Sequence, residues 1–432
     1  MLVVCFSVSG VSIPMKALAT VTSLLVSTAL LLIGQGMQLT LLPLRASANG
    51  LSDFMIGISA SCYFLGFIVG CIGVPATIAR VGHIRSFAVL TAVMTSAILC
   101  MDMLDEWQFL LVLRFLTGMA ISGLYTVIES WLNSQATAAS RGRILSIYTF
   151  ILLISMALGQ ALINVGPIES STPFTLAAVF MVLAIVPVGL TRRLAPAPVE
   201  ATRVGFSLLY RRSRSAFAGA LLSGLVVGSF WSLGAIFARS NSESQADISW
   251  FVSAAILGGA LLQYPIGLLS DRIDRRKVIV MLCFGSALAS VAVAASAGQS
   301  WHLPAVFLFG AMVMPIYGMS LATAADVSQG SEFVEIGTSV LLLNAIGAVS
   351  APLVLGKLMS LLGPPALFWS FAVICLLFMA YIALQVRGAR AVSISEQVPF
   401  TAAASEVAPA SFDLDPRGPE HTPTPRAPGT ER

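Results

Sequence analysis

Charged residues are scarce in this chain: Asp, Glu, Lys and Arg make up 10% of its 432 residues, against 57% hydrophobic ones, and the mean hydropathy is +0.90. Soluble domains carry about 25% charged residues, so a single apolar core wrapped in a water-facing surface is excluded. The apolar and polar alternation of a membrane β-barrel is also missing. Histidine is rare, and His83, His302 and His421 fall in expected loops or in the C-terminal tail. There is no phosphate-binding glycine loop and no histidine and cysteine constellation, so the chain is expected to be no enzyme, to hold no cofactor or metal and to bind no nucleic acid. The six cysteines lie in apolar stretches without a recurring spacing and read as small buried hydrophobes. Met1 to Pro14 lacks the basic start and the cleavage site of a signal peptide, which makes Met15 an alternative start.

What the chain has in quantity is long apolar runs. Crossing about 30 Å of hydrocarbon takes about 20 apolar residues, and backbone groups in lipid must be satisfied within the segment, so each run predicts a helix. Twelve are expected: Ala17 to Leu42, Phe54 to Ala79, Ser86 to Leu104, Trp107 to Asn133, Arg143 to Val165, Pro173 to Leu190, Ala216 to Ala238, Ile248 to Ser270, Val278 to Ala297, Leu303 to Ala325, Thr338 to Leu362 and Pro364 to Val386. The fold class is all-α and integral to a membrane. Pro196, Pro198 and six arginines between Thr191 and Ser215 divide the chain into a first bundle (1–193), a linker (194–215) and a second bundle (216–386). Residues 387–432, rich in Pro, Ala and Ser, are expected to form a disordered tail.

Lys and Arg are retained on the cytoplasmic side during insertion, so where the basic residues fall matters more than the net charge of +4. With the N-terminus inside, Arg80, Arg85, Arg141, Arg143, the linker arginines and Arg272 to Lys277 all face inward, and only Arg45, Arg239 and Lys357 face outward. Both termini are expected in the cytoplasm and the chain in a bacterial plasma (inner) membrane.

A basic turn occurs twice, as Arg80-Val81-Gly82-His83-Ile84-Arg85 after the second run and as Asp271 to Lys277 after the eighth. An ungapped offset of about 192 residues superposes Arg80 on Arg272, Arg85 on Lys277, Gly36 on Gly228, Gly66 on Gly258, Gly118 on Gly310 and Tyr125 on Tyr317, the kind of repeat found in transporters built from parallel halves. The segment Gly267-Leu268-Leu269-Ser270-Asp271-Arg272-Ile273-Asp274-Arg275-Arg276-Lys277 resembles the signature loop of the major facilitator superfamily, a glycine followed by Asp-Arg and a basic cluster. Both copies stand where that family places it. The first departs from the pattern, with Pro75 for the glycine and Ala79 for the aspartate. Arg114 followed by Gly118 is similar to the family's arginine motif in the fourth helix. Tyr125 to Asn133, followed by Arg141-Gly142-Arg143, resembles a bacterial subgroup of facilitator transporters of unassigned substrate.

The resemblance implies two pseudo-symmetric six-helix bundles that move a small organic solute by alternating access as a monomer, with protons as a candidate coupling ion. It also implies a cytoplasmic latch favouring the outward-open conformer. Physically, a carboxylate at a helix end beside arginines makes charge-assisted bonds; Asp271 with Arg272 and Arg275 fits that description. Gly267, Arg276, Arg80, Arg85, Glu129, Arg141 and Arg143 complete the latch set, the alternative being that these arginines only fix topology.

Arg114 falls well inside the hydrocarbon, where an arginine costs about 2.5 to 3.5 kcal/mol on insertion scales, so it is expected to face a polar interior. Arg114, Gly118, Ile121, Tyr125 and Glu129 share one helical stripe, expected to face a cavity. At 1.5 Å rise per residue Arg114 and Glu129 stand about 22 Å apart and cannot pair. Arg114 therefore binds an anionic group or senses a proton relay, while Glu129 is expected in a helix-end ion pair with Arg141 or Arg143. Neutral polar groups are the guide to a midplane pocket: Gln35, Gln38, Gln160, Asn164, Gln263, Tyr317 and Asn344, each otherwise an interhelical bond worth under about 1 kcal/mol. Trp231, in mid-helix, is a candidate wall, whereas Trp107, Trp131, Trp250 and Trp301 sit at span ends as interface anchors. The fifth helix offers Gly159-Gln160-Ala161 in place of the glycine-proline-glycine of drug and proton antiporters. The readings left open are a solute transporter, a proton-coupled multidrug or metabolite exporter, and a non-transporting membrane sensor.

Overall fold

The computed structural model describes residues 15–104, 106–136, 140–190, 204–242, 244–296, 299, 301–328, 332–388, 397, 400, 409 and 412, with backbone alone at 15–20, 141–143 and 387–388. Among the described residues twelve helices are long and apolar enough to cross a membrane: α1 (Met15–Ala48), α2 (Asp53–Val81), α3 (His83–Met103), α4 (Trp107–Gln135), α5 (Arg141–Leu162), α6 (Thr172–Gly189), α7 (Arg214–Asn241), α8 (Gln245–Ser270), α9 (Arg275–Ala295), α10 (His302–Ala325), α11 (Glu332–Leu362) and α12 (Ala366–Gly388). Among the described residues there is no strand. A short helix, Phe206–Arg212, precedes α7. The expected spans match these helices except at their ends. The α11 helix begins at Glu332, six residues before Thr338, because Glu332 and Glu335 in its first turn complement the positive helix N-terminus.

The helices form two bundles with matching contacts. In the first, α2 packs on α4, α1 on α5 and α6, and α3 on α4 and α6; in the second, α8 packs on α10, α7 on α11 and α12, and α9 on α10 and α12. The repeat seen in the sequence is visible at the level of single contacts. A Cβ at Gly66 would run into the carbonyl oxygen of Phe115, and one at Gly258 into that of Phe307. Likewise Gly118 lies against the carbonyl of Tyr63, and Gly310 against that of Ala255. All four partners obey the same offset of about 192 residues, as do Gly36 against Met156 and Gly228 against Ala348. Small residues thus bring helix backbones into contact, the packing that apolar solvent favours. The turn between α2 and α3 needs a left-handed residue, and Gly82 supplies it at φ 85°.

One face of the molecule, the linker end, carries the turns α2–α3, α4–α5, α8–α9 and α10–α11; the opposite face is the far end. At the far end the bundles are joined. Arg239 Nη1 donates to the Leu44 carbonyl at 2.9 Å, Gln245 Nε2 to Ile163 O at 2.6 Å and to Gly166 O at 3.0 Å, and the Phe54 amide to Ser360 Oγ at 3.2 Å. Lys357 Nζ lies 5.5 Å from the centre of the Phe54 ring, and a Cβ at Gly57 would meet the Pro352 carbonyl. Closer to the middle, Ser61 Oγ donates to Val349 O at 2.6 Å.

Several expectations are corrected. Trp131 is wholly buried, edge-on to His83 at 6.1 Å, and so is no interface anchor; Trp107, Trp250 and Trp301 remain exposed. His83 and His302 open helices, bonded to Ser130 and Ser296, and do not sit in loops. Within the segment expected to be a disordered tail, Phe400 and Phe412 are packed: the Phe400 ring covers Gly267 and its amide donates to Asp271 Oδ1 at 3.0 Å, while Phe412 is 1% exposed against Phe333 and Gly337. The physical reason is local, since two glycines without side chains leave seats that an aromatic ring fills.

Candidate functional site

Between the bundles lies a cavity to which α1 contributes Gln35 and Leu39, α2 contributes Tyr63, Phe64 and Phe67, α4 contributes Tyr125, and α11 contributes Asn344 and Ala345. Its volume is about 30 Å³, room for about one water, so the helices stand nearly closed on it. Gln35 Nε2 donates to the Tyr63 hydroxyl at 2.8 Å. Gln35 Oε1 and Asn344 Oδ1 are buried without a hydrogen-bond partner. A buried acceptor left this way costs about 1 to 3 kcal/mol, a cost that a donor on an incoming ligand removes.

Asn344 is held by the shape of α7, which widens into a π-helical turn at Gly224–Gly228. A Cβ at Gly224 would strike the Asn344 carbonyl, so the widened turn and the glycine together let the α7 backbone rest on α11 beside the cavity, a frequent role for such a bulge.

Arg114 stands behind Tyr63. Its guanidinium carbon is 4.5 Å from the centre of the Tyr63 ring, and the side chain is 4% exposed, with Nε and Nη1 unpartnered. Among the described residues no carboxylate pairs with it. Cation–π attraction, worth about 2 kcal/mol when desolvated, offsets part of the burial, which leaves a positive charge next to the cavity with donors to spare. At the repeat offset, the places of Arg114, Tyr63 and Gln35 in the second bundle are taken by Val306, Ala255 and Val227. The polar machinery therefore belongs to the first bundle, and the second contributes Asn344.

The other expected residues divide. Tyr125 of the α4 stripe lines the cavity, but Gly118 faces α2 and Glu129 turns to α5, where it is wholly buried and accepts from the Tyr148 hydroxyl at 3.0 Å. The ion pair expected with Arg141 or Arg143 lies outside the described residues, which do not include those two side chains. Gln160 ties α5 to α1 through Gly36 O at 2.7 Å, and Gln38 is buried with both amide atoms unpartnered; neither lines the cavity. Gln263 and Tyr317 are buried away from its lining, and Trp231 packs edge-on against Phe230 at 5.7 Å. Asn164 is displaced altogether. The α5 helix ends at Leu162, so Asn164 falls in an exposed 3-10 turn at the far end, donating to Ala161 O at 3.2 Å. Tyr63, Phe64 and Phe67 were not singled out, although their spacing of one and three residues on an apolar helix next to the offset glycine Gly66 marks a packed face.

At the linker end, Arg275 Nη2 meets Asp271 Oδ1 at 3.0 Å, and Arg275 Nη1 meets Asp326 Oδ1 at 2.6 Å and Ala322 O at 3.1 Å. This joins the α8–α9 turn to the end of α10 inside one bundle. Arg276 closes a separate pair with Asp274 at 2.8 Å. Burial works against ionisation of Asp274, but its bonds to Arg276 and the charge of Lys277 hold its carboxyl below the usual range. Arg272 is exposed and takes no part in the Asp271 cluster, since the turn points it to solvent; Arg80 and Arg85 are likewise exposed.

The family model described as Major Facilitator Superfamily matches residues 24–215 and again 216–416. The chain is similar to the protein named "Uncharacterized MFS-type transporter YcaD" of Escherichia coli, at 26% identity over 342 residues, 79% of this chain and 89% of that one. Among solved structures it resembles the nucleoside transporter NupG at TM-score 0.74 and 11% identity, covering 85% of this chain and 99% of that one. It also resembles a bacterial homologue of the human lysosomal transporter Spinster at 0.71 and 14%, covering 88% and 97%.

Proposed function

Since the chain belongs to the Major Facilitator Superfamily, we propose that it carries a small organic solute across the bacterial inner membrane by alternating access, as a monomer, through the cavity at Gln35, Tyr63, Tyr125 and Asn344. The observation that carries this reading is the pair of unpartnered acceptors, Gln35 Oε1 and Asn344 Oδ1, which come from different bundles and meet at one cavity. A solute that bonds to both is sensitive to the separation of the bundles, which is what couples binding to rocking. Arg114 favours a solute with an anionic group.

The asymmetry of basic residues supports a cytoplasmic linker end with both termini inside. On that orientation the far-end contacts of Arg239, Gln245 and Lys357 close the route to the outside, and the Asp271, Arg275 and Asp326 cluster stiffens the inner end of the second bundle during the cycle. A second reading, proton-coupled export, is favoured by Glu129, a carboxyl wholly buried within α4 and bonded to Tyr148.

Both readings are tested with full-length protein in proteoliposomes, measuring uptake and efflux of a broad panel of labelled solutes with and without an imposed proton gradient, for wild type and Arg114→Ala. Movement of at least one solute and a loss of about tenfold or more in Arg114→Ala are expected, the loss of one charge-assisted contact. If no solute moves, the transport reading fails; if Arg114→Ala transports like wild type, the site assignment fails. Dependence on the gradient decides for the second reading.

A further inference from the structure

A second cavity, unconnected with the first, opens at the linker end of the second bundle. Its volume is about 460 Å³, and its wall combines Arg211, Arg212, Arg214, Arg275 and Arg276 with Asp274 and Asp326. Three of the arginines are engaged with carboxylates: Arg212 with Glu332 at 2.9 Å, Arg275 with Asp271 and Asp326, and Arg276 with Asp274. Among the described residues the other two are not. Among the described residues Arg211 bonds to Ser207, through Nε to its carbonyl at 3.3 Å and through Nη2 to its hydroxyl at 3.1 Å. Arg214 has its guanidinium carbon 5.4 Å from the centre of the Tyr210 ring. The wall thus carries, among the described residues, five positive and two negative side chains, and the surplus is concentrated on the pair Arg211 and Arg214 that brackets the start of α7.

We propose that this cavity binds a phosphate-bearing anion, held by Arg211 and Arg214. Guanidinium groups match phosphate oxygens in a fork geometry and are the side chains best suited to that ligand. The serine hydroxyls of Ser213 and Ser215 on the same wall add neutral donors. Two features point to a phosphate that arrives on a lipid. Gln385 of α12 forms part of the wall, so the cavity reaches the last, outermost helix of the bundle. Tyr210 and Tyr381, 42% and 36% exposed, stand beside it at the level of the helix ends, where aromatic rings sit among headgroups. Basic pockets at helix ends on one leaflet are suited to anionic headgroups. A soluble phosphate uses the same contacts, and this inference stands apart from the transport reading.

The test uses the full chain in neutral detergent and follows its thermal unfolding midpoint during titration with dioleoyl phosphatidylglycerol, dioleoyl phosphatidylcholine or inorganic phosphate. The expected result is stabilisation by phosphatidylglycerol, weakened by salt and about tenfold weaker in apparent affinity in the double variant Arg211→Gln, Arg214→Gln. Stabilisation by inorganic phosphate that the double variant also loses supports the site with a soluble source. A second double variant, Arg80→Gln with Arg85→Gln, removes two equally exposed arginines elsewhere and is expected to keep the wild-type response. The proposal is overturned if neither phosphate probe stabilises the protein, if phosphatidylcholine does so equally, if the Arg211 and Arg214 variant responds like wild type, or if the Arg80 and Arg85 variant loses the response to the same degree.

Discussion

His83 and Arg275 occupy matching places in the two bundles. His83 Nε2 shares a 3.0 Å hydrogen bond with Ser130 Oγ, and Arg275 Nη1 donates at 3.1 Å to the carbonyl of Ala322, the residue that matches Ser130 in the repeat. The same joint is closed by an uncharged contact in one half and by a buried ion cluster in the other. Truncation is therefore expected to be unequal. Arg275→Ala removes a buried guanidinium from Asp326, 3% exposed, and should cost about 3 to 5 kcal/mol. His83→Ala should cost about 1 kcal/mol. Unfolding in detergent for the two variants checks the difference, and equal losses would contradict the assignment.

Acid should act on the Asp274 pair. A carboxyl held below its ordinary value contributes stability that is complete above the unfolded value of about 4 and lost as pH falls through the lower folded value. Wild type should therefore outlast Asp274→Asn at neutral pH, and the two should converge once the pH is well below about 4. Midpoints of unfolding from pH 7 downward measure this, and a gap that persists unchanged in acid would refute it.

The close helix contacts predict paired effects of Gly→Ala. At Gly118 and at Gly310 a new methyl group meets a carbonyl of the facing backbone, Tyr63 and Ala255 respectively, and a backbone atom cannot swing aside. Each substitution should destabilise by about 1 to 3 kcal/mol. The two should differ in transport: Gly118→Ala displaces Tyr63 and with it the cavity wall, while Gly310→Ala touches no cavity residue. Solute flux per folded molecule separates the two effects.

Within the cavity, Tyr63→Phe keeps the ring that Arg114 faces and removes the hydroxyl that Gln35 bonds to. A loss of about 1 kcal/mol in solute binding, or about fivefold in KM, is expected, with smaller change in kcat. Arg114→Lys should fare worse, because a point charge does not reproduce the flat stacking of a guanidinium on the ring.

The seats for the tail are open to direct test. Gly267→Leu places a side chain where the Phe400 ring lies, and the Phe400 amide, which donates to Asp271 at 3.0 Å in the native chain, should then exchange its hydrogen faster. Unchanged exchange would mean that the contact is not maintained in solution.

The twelve spans and the repeat were legible in the sequence, because in lipid the length and apolarity of a run decide helix formation almost alone. The repeat could be read because glycines that touch a facing backbone cannot drift in type. Which polar residues meet was far less legible. Arg114 and Asn344 were identified by being polar in an apolar run, and that criterion also selected Asn164, which a single turn of helix end removes to the surface. Tyr63 escaped notice because an aromatic residue in an apolar helix carries no sign of whether it faces lipid or an arginine. Glu129 was placed near a helix end by counting, yet its surroundings depend on α5, which counting along α4 does not reveal. Asp271 and Arg275 lie four residues apart and were readable as a pair, whereas Asp326 joins them from a distant part of the chain.

The glycine contacts carry a mechanical consequence. Where Gly66 and Gly118 lock α2 to α4, and Gly258 and Gly310 lock α8 to α10, there is no layer of side chains to slide or compress. Each couple behaves as one stiff strut. The joint between the bundles is mixed: Gly57 meets the Pro352 carbonyl in the same backbone fashion, whereas Arg239 on Leu44, Gln245 on Ile163 and Lys357 on Phe54 are long side chains with some give. A substitution that swells a strut is then felt across its whole bundle, while one that shortens a joint changes only how readily the two bundles part.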